Sequence, residues 1–299
     1  MLHTIENDIK FPTIPEYDII EEEIELKTKD SSLKKSVSVK LDTDLGFDEV
    51  AVIGDIHGTS KFIDGYENIL KNNNNIKKII VMGDHFDPYI NIPFELMVDR
   101  FLEFLHCLEN DNRIISLIGN HDLSGYILKG EQTNRTELDI KKAEKITELV
   151  EQILPKSRLV YQQGDFLFSH AGVSDWWVKM VETQKGYDFE TIKKIGWTDK
   201  ELLDIVSYYP YDCSGWGDDP CQSPVWIRPQ SLIDFPYKNF NQVVGHTKTK
   251  SVFFIFENDI ETEIKNFENF YKIKMKNNKY VLFSDNDGES NYLIISIKK

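Results

Sequence analysis

The chain has 299 residues, of which 40% are hydrophobic, and a formal net charge of -15 at neutral pH. This length and apolar content are enough for one large α/β domain with a sizeable core. The negative charge argues against a protein that follows a nucleic-acid backbone, and no apolar run approaches the about 18 residues of a membrane span, so we expect neither partner.

Residues 1–48 differ in composition from the rest of the chain. They carry two prolines, an acidic run and the alternating segment Ser36-Val37-Ser38-Val39-Lys40-Leu41. The alternation offers one apolar face, so this part is either a disordered arm or, as we favour, an ordered appendage at an edge of the core. We therefore expect an N-terminal appendage over residues 1–48 and one folded domain over residues 49–299.

The stretch from Glu49 to Gly58 predicts an apolar strand that ends in a glycine, followed by an acid and an imidazole. Asp55 and His57 alternate, so both side chains can leave the strand end on one side, as two ligands of a metal cation would. Taken alone, Asp-x-His between glycines is more typical of a strand-end turn with a capping aspartate.

The same arrangement of strand, glycine and polar residue recurs four times along the chain. The repeats cover residues 79–87, 114–122, 166–172 and 241–247, and they place Asp84, Asn120, His170 and His246 at strand ends. Apolar spacing predicts helices over residues 59–71, from Pro93, and over residues 136–154. Strands that alternate with helices predict a largely parallel first sheet.

The second half of the chain predicts a second sheet. Residues 158–161 and 166–169 form a predicted hairpin, where an antiparallel sheet would begin. Residues 176–209 are mostly helical, and residues 208–224 form a long loop that could cover the site. We expect the strand-like residues 251–257, 279–284 and 291–297 to complete the second sheet.

The chain contains three cysteines, Cys107, Cys213 and Cys221. An odd number at no zinc-like spacing, together with the lack of a secretory leader pattern, predicts reduced thiols and a cytoplasmic protein. Pairing of Cys213 with Cys221, or metal binding by both, is the alternative.

Five short motifs, in this order over residues 50–247, resemble the calcineurin-like metallophosphoesterase superfamily. They are Gly-Asp-Ile-His-Gly, Gly-Asp-x-x-Asp, Gly-Asn-His-Asp, His-Ala-Gly and Gly-His-Thr. The resemblance implies an α/β fold with four layers, an α/β/β/α sandwich of two mixed sheets flanked by helices. It also makes residues 49–299 the catalytic domain of a phosphoester hydrolase.

The resemblance further implies a site for two divalent metal ions. Asp55 and His57 would hold the first ion and Asp84 would bridge both, while Asn120, His170 and His246 would complete the second. We expect manganese, which the resembled bacterial members commonly use. Iron, zinc and nickel are alternatives because mixed oxygen and nitrogen ligands suit them about equally well.

The expected chemistry is in-line attack on phosphorus by a hydroxide that bridges the two metals, whose charges also stabilise the transition state. By resemblance, His121 donates a proton to the leaving alkoxide and Asp87 pairs with His121 and keeps it charged. The simpler interpretation of Asp87 is a turn residue before Pro88.

Arg228 resembles the phosphate-binding arginine of the serine/threonine protein-phosphatase branch. Its simpler interpretation is a surface arginine in a proline-flanked turn. Pro88 and Ile118 stand where that branch carries further arginines, so we expect a less basic phosphate pocket.

Three other residues are predicted to contact the substrate. His85 could compensate in part for the missing arginines, Asn120 would contact substrate as well as metal, and Tyr211 lies in the predicted loop. Lys248 replaces the final histidine of the Gly-His-x-His motif of phosphodiesterases, which places the chain nearer the protein-phosphatase and diadenosine-tetraphosphatase branch.

The sequence therefore predicts a dinuclear metal-dependent phosphatase, similar to serine/threonine phosphatases, that hydrolyses a phosphomonoester in a phosphorylated substrate. A hydrolase of dinucleoside polyphosphates, such as diadenosine tetraphosphate, or of another nucleotide is the first alternative. A catalytically silent binding module is the second, although such proteins usually lose metal ligands and this chain keeps six. The sequence does not determine the oligomeric state.

Overall fold

The structure of the protein is a computed structural model, and it describes residues 47–73, 75–88, 91–123, 137–206, 219–250, 264–267, 270–285 and 292–298. The α-helices are α1 (Lys61–Asn72), α2 (Phe94–Asn110), α3 (Glu137–Ile153), α4 (Asp175–Lys185), α5 (Phe189–Ile192), α6 (Asp199–Val206) and α7 (Pro229–Asp234). The strands are β1 (Phe47–Ile53), β2 (Ile76–Val81), β3 (Ile114–Ser116), β4 (Val160–Gln163), β5 (Phe166–Ser169), β6 (Asn241–Val244), β7 (Ile264–Phe267), β8 (Phe270–Lys274), β9 (Tyr280–Phe283) and β10 (Tyr292–Lys298).

The first sheet has the strand order β10-β1-β2-β3 in the described residues. Strands β1, β2 and β3 are parallel, as their helical connections through α1 and α2 require. Strand β10 is antiparallel to β1 over its whole length, from Phe47 opposite Lys298 to Ile53 opposite Tyr292. The prediction that residues 291–297 complete the second sheet was therefore wrong, because the apolar run of β10 covers the edge of β1.

The second sheet has the order β4-β5-β6-β9-β8-β7. The predicted hairpin is present as β4 and β5, and the predicted strand at residues 279–284 is β9. The sheet is mixed rather than antiparallel, because β5, β6 and β9 are parallel neighbours. Strands β7 and β8 had not been predicted, and residues 251–257 lie outside the described part of the chain.

Alternating side chains of the strands build the layers of the fold. One face of the first sheet packs on the second sheet through Val50, Val52, Ile80, Met82, Phe168, Val243 and Leu282. The other face of the first sheet packs on α1 and α2 through Ala51, Ile53, Ile79, Val81, Phe62, Ile69, Phe101 and Phe104. The outer face of the second sheet packs on α7 through Val244, Val281, Phe283, Leu232 and Ile233. These layers confirm the predicted α/β/β/α sandwich.

The predicted ligands follow the carboxyl ends of β1, β2, β5 and β6 and the short segment after β3. Among the described residues, no helix has the length and apolar composition that crossing a membrane requires. Of the predicted appendage at residues 1–48, the structure describes only Phe47 and Asp48.

Candidate metal centre

Two groups of potential metal ligands share one carboxylate. Asp55, His57 and Asp84 offer ligand atoms that all lie within 4.8 Å of one another, and the same limit holds for Asp84, His170 and His246. Asp84 belongs to both groups, so its carboxylate lies where a bridging ligand is needed. The two sheets thus contribute to one site, with β5 and β6 supplying the two histidines of the second group.

Asn120 lies beside the second group, at the start of a 3₁₀ turn over Asn120–Asp122. Its side-chain Oδ1 is 2.9 Å from Nε2 of His170, which also lies 3.3 Å from Oδ2 of Asp84. The structure therefore brings together all six predicted ligands, Asp55, His57, Asp84, Asn120, His170 and His246.

Two of the histidines are oriented by carbonyl groups, which can only accept hydrogen bonds. Nδ1 of His57 donates to the Asp87 carbonyl at 2.9 Å, and Nδ1 of His170 donates to the Met82 carbonyl at 2.7 Å. In both rings Nε2 then faces the Asp84 carboxylate, 3.6 Å away for His57. Fixing a histidine through one nitrogen is the usual way to present the other to a metal.

The residues present fit a pair of divalent cations. Oδ1 of Asp55 and Nε2 of His246 are buried and have no hydrogen-bond partner among the described residues. A buried acceptor without a donor is costly, and a cation in each ligand group would satisfy these atoms. Carboxylate, amide and imidazole ligands together suit manganese, iron and zinc.

Burial and the neighbouring charges shift the pKa values of the centre. Burial raises the pKa of Asp55 well above its usual value, and the negative Asp285 adds to the rise. Burial acts on Asp84 in the same direction, but the cationic forms of His170 and His121 outweigh it and hold the pKa of Asp84 well below its usual value. Burial lowers the pKa of His170, yet Asp84 and Asp55 raise it to about 10. The metal-free centre therefore retains a proton that a cation would displace.

His121 and Asp87 form a pair at the edge of the centre. Nδ1 of His121 donates to Oδ2 of Asp87 at 2.7 Å, while Nε2 lies 4.0 Å from Oδ2 of Asp84. Burial lowers the pKa of His121, but Asp84 and the bond to Asp87 raise it above its usual value. Asp84 and Asp87 therefore favour the protonated form of the imidazole, whose Nε2 lies on the side of the Asp84 carboxylate.

Asp122 is a buried residue of the centre to which the sequence had assigned no role. Its carboxylate accepts hydrogen bonds from the backbone N–H groups of Asp84, His85 and Gly119 at 2.8–2.9 Å, and from Nδ1 of His85 at 3.0 Å. It thereby ties the loop after β2 to the loop after β3. The sequence signal that could have identified Asp122 is its place as the acid at the end of the Gly-Asn-His-Asp motif.

His85, a predicted substrate-contacting residue, lies in the core beside Asp122. Its side chain is 1% exposed and packs against the rings of Phe101 and Phe104, while Nδ1 bonds to Asp122. Asp122 and the aromatic side chains of α2 hold the ring in the core, and contact of His85 with the substrate stays a prediction.

Arg228 lies immediately before α7 and beside the second group of ligands. Its Nη1 donates to Oγ1 of Thr247 at 3.2 Å. Its charge also acts on His246, since the pKa of His246 is lowered well below its usual value by burial first and by Arg228 next. Ile118 is fully buried and offers no charge to the site. Tyr211 lies outside the described residues.

The fold and the site together define the class of a metal-dependent phosphoesterase. The model of the calcineurin-like phosphoesterase family matches residues 49–248, which is most of the chain. The chain belongs to this family and is a hydrolase that acts on phosphoesters, which confirms the resemblance and the predicted enzyme class. Membership implies divalent metal ions and phosphorylated substrates.

Comparison with solved structures found several matches. A cold-active protein-tyrosine phosphatase of a psychrophile, Shewanella sp., is 16% identical, with 82% of this chain and 81% of that chain covered and a TM-score of 0.42. A protein serine/threonine phosphatase from Saccharomyces cerevisiae is 12% identical, covering 88% and 84%, with a TM-score of 0.41. A metallophosphoesterase from Sphaerobacter thermophilus is 14% identical, covering 80% and 76%, with a TM-score of 0.33. A search of curated proteins found no match.

Proposed function

We propose that the chain is a phosphatase similar to serine/threonine phosphatases, which hydrolyses a phosphomonoester with the help of two manganese ions. Residues 49–299 are its catalytic domain and residues 1–48 an appendage, and the cysteine usage supports a cytoplasmic location. Asp55, His57 and Asp84 would hold one ion, and Asp84, Asn120, His170 and His246 the other. When bound, such a pair of cations supplies a water of lowered pKa and positive charge beside the phosphate.

The observation that carries the proposal is the shared carboxylate of Asp84 next to the His121–Asp87 pair. Asp84 is 1% exposed and belongs to both ligand groups. The backbone N–H of His121 donates to Oδ1 of Asp84 at 2.9 Å. This bond fixes the position of the predicted proton donor relative to the predicted bridging ligand. This supports a phosphoester bound between the ions and the imidazole.

The side chains of the protein would then divide the work of hydrolysis. His121 holds a proton on Nε2 for the leaving oxygen, and Asp87 keeps the imidazole charged and oriented through Nδ1. Arg228 would bind phosphate oxygens beside the second ligand group, where it contacts Thr247. Asn120 would contact the phosphate as well as the second ion.

Nucleotide hydrolysis is the second candidate, because the site offers less positive charge than a phosphoprotein phosphatase would. Of the described arginines, Arg100 donates to the Gly58 carbonyl, Arg113 to Asp111 and Arg158 to the Lys193 carbonyl. Arg228 is thus the described arginine that faces the second ligand group.

A substrate panel tests the proposal. Purified protein is assayed side by side on a phosphopeptide, p-nitrophenyl phosphate and diadenosine tetraphosphate, with elemental analysis of the same preparation. We expect phosphate release from the two monoesters and two equivalents of manganese. Asp84→Asn should lose both metal and activity, whereas Asp204→Asn, at an exposed position on α6, should keep both.

Other outcomes of the panel point elsewhere. Activity on diadenosine tetraphosphate alone would replace the first proposal with the second. A metal-loaded protein that turns over none of the three would instead favour a binding module.

A further inference from the structure

Lys61 and Asp285 form a buried ion pair that the proposed chemistry does not use. Nζ of Lys61, the first residue of α1, lies 3.5 Å from Oδ1 of Asp285, and the two side chains are 2% and 4% exposed. Among the lysines whose side-chain burial the structure describes, no other is buried. Removing an ammonium from water is costly even when it is paired, so packing alone does not explain this pair.

The fold places Asp285 at the same edge of the second sheet as the last histidine ligand. Strands β6 and β9 are parallel, with Val244 opposite Phe283. His246 and Asp285 each follow two residues after this pair, so they occupy equivalent positions beyond the two strand ends. The Asp285 carbonyl also accepts from the backbone N–H of Thr249 at 2.8 Å. Asp285 is therefore fixed beside the ligand turn that carries His246.

The same segment packs against the turn that carries the first ligands. A Cβ built on Gly54 would lie 2.5 Å from the Ser284 carbonyl oxygen and 3.4 Å from Cα of Asp285. Only a glycine permits this approach, and the next residue is Asp55. The ion pair of Asp285 with Lys61 therefore lies next to this ligand.

We propose that the Lys61–Asp285 pair sets the affinity of the Asp55–His57–Asp84 group for its divalent cation; this rests on the metal centre of the proposed function. The Asp285 carboxylate increases the negative potential at the group and strengthens cation binding. The Lys61 ammonium offsets this potential beside the buried side chains of Asp55, Asp84 and Asp285. The two residues act in opposite directions on one equilibrium.

Because the two charges are opposite, their removal should change the affinity for manganese in opposite directions. A pair with only a structural role would not show this pattern. Lys61→Met, Asp285→Asn and the double variant are freed of metal with a chelator, and manganese dissociation constants are measured by calorimetry. At the distances of neighbouring side chains, one charge should change the affinity for a divalent ion by about ten-fold or more. We expect Asp285→Asn to weaken one of the two bound ions, Lys61→Met to tighten it, and the double variant to return within about three-fold of wild type.

The matched controls carry the same substitutions in an exposed pair. Lys185 and Asp204 lie 2.7 Å apart on the surface, and Lys185→Met and Asp204→Asn should leave both dissociation constants unchanged. Urea unfolding of the metal-free proteins separates folding from binding. If Lys61→Met does not fold, the double variant must still bind manganese more tightly than Asp285→Asn.

Two results would overturn the inference while leaving the proposed function intact. One is that both single variants weaken manganese binding alike in parallel with a loss of stability, and the other is that neither changes it. A wild-type protein that binds no divalent ion would overturn the proposed function together with the inference. Manganese binding by the wild-type protein is therefore measured before any variant is compared.

Discussion

At the scale of single residues, four residues of the centre have an uncommon backbone conformation. His57, Asp84, Asp87 and His246 have positive φ angles of 46°, 51°, 64° and 60°. The left-handed region costs a residue with a side chain about 1 kcal/mol or more, and such residues cluster where function requires a special geometry. The surrounding hydrogen bonds, such as that from His121 N–H to Asp84, hold this strain in place.

Replacement of His121 by asparagine tests its role as proton donor. We expect kcat to fall by about two to four orders of magnitude on an alkyl phosphate, whose leaving group needs a proton, and much less on p-nitrophenyl phosphate. Metal content should stay at the wild-type level. The measurement is steady-state kinetics on both substrates with elemental analysis of each preparation.

His106→Asn is the matched control, since His106 is an exposed histidine on α2 that bonds to Asn110 of the same helix. It should leave both rates unchanged. An equal loss of rate on the two substrates, or a loss of metal in His121→Asn, would contradict proton donation.

Replacement of Asp87 by asparagine tests how the proton is held. The pKa of Asp87 lies below its usual value, first because of its bond to His121, and Asp87 in turn raises the pKa of His121. A group that acts as an acid is active below its pKa. Deprotonation of His121 therefore produces the decline of kcat on the basic side of the pH profile. We expect this decline to move to lower pH in Asp87→Asn. A decline at an unchanged pH would mean that Asp87 is only a turn residue.

At the scale of elements, Asp122 connects two loops that each carry ligands. Its buried carboxylate accepts from Asp84, His85 and Gly119, so Asp122→Asn would place an amide donor against backbone donors. We expect the free energy of unfolding of the metal-free protein to fall by about 3 kcal/mol. Urea unfolding measures this change.

Asp188→Asn provides the comparison for that experiment. Asp188 is an exposed N-cap of α5 whose side chain accepts from the Thr191 N–H. Asparagine caps a helix about as well as aspartate, so stability should hardly change. If Asp122→Asn were as mild as this control, Asp122 would not hold the two loops together.

Elements with local signals could be predicted from the sequence. Helices α1 and α2 follow from the spacing of apolar residues such as Phe62, Ile69 and Phe101, and each ligand turn from a glycine after an apolar strand. The place of β10 could not be predicted, because alternation shows that a strand is buried but not which strand it pairs with. The burial of His85 could not be predicted for the same reason, since its partners Asp122 and Phe104 are distant in sequence.

At the scale of the whole molecule, the centre links the two sheets. Asp55, His57 and Asp84 leave the first sheet, while His170 and His246 leave the second. The sequence predicted this convergence only through the resemblance, because five separate turns contain no information about their mutual distance. The consequence is that cation binding and the packing of the sheets are coupled, since only the folded chain brings these ligands together.

Removal of metal tests this coupling in the whole protein. A cation that binds only the folded chain at about 100 times its dissociation constant stabilises it by about 2.7 kcal/mol. For a domain of this size we therefore expect chelation to lower Tm by about 5–10 °C, and manganese to restore it. Asp84→Asn, which lacks the carboxylate common to both groups, should unfold at the same temperature with and without chelator. A wild-type Tm that is insensitive to chelation would show that the six side chains, although close together, do not hold a cation that contributes to the fold.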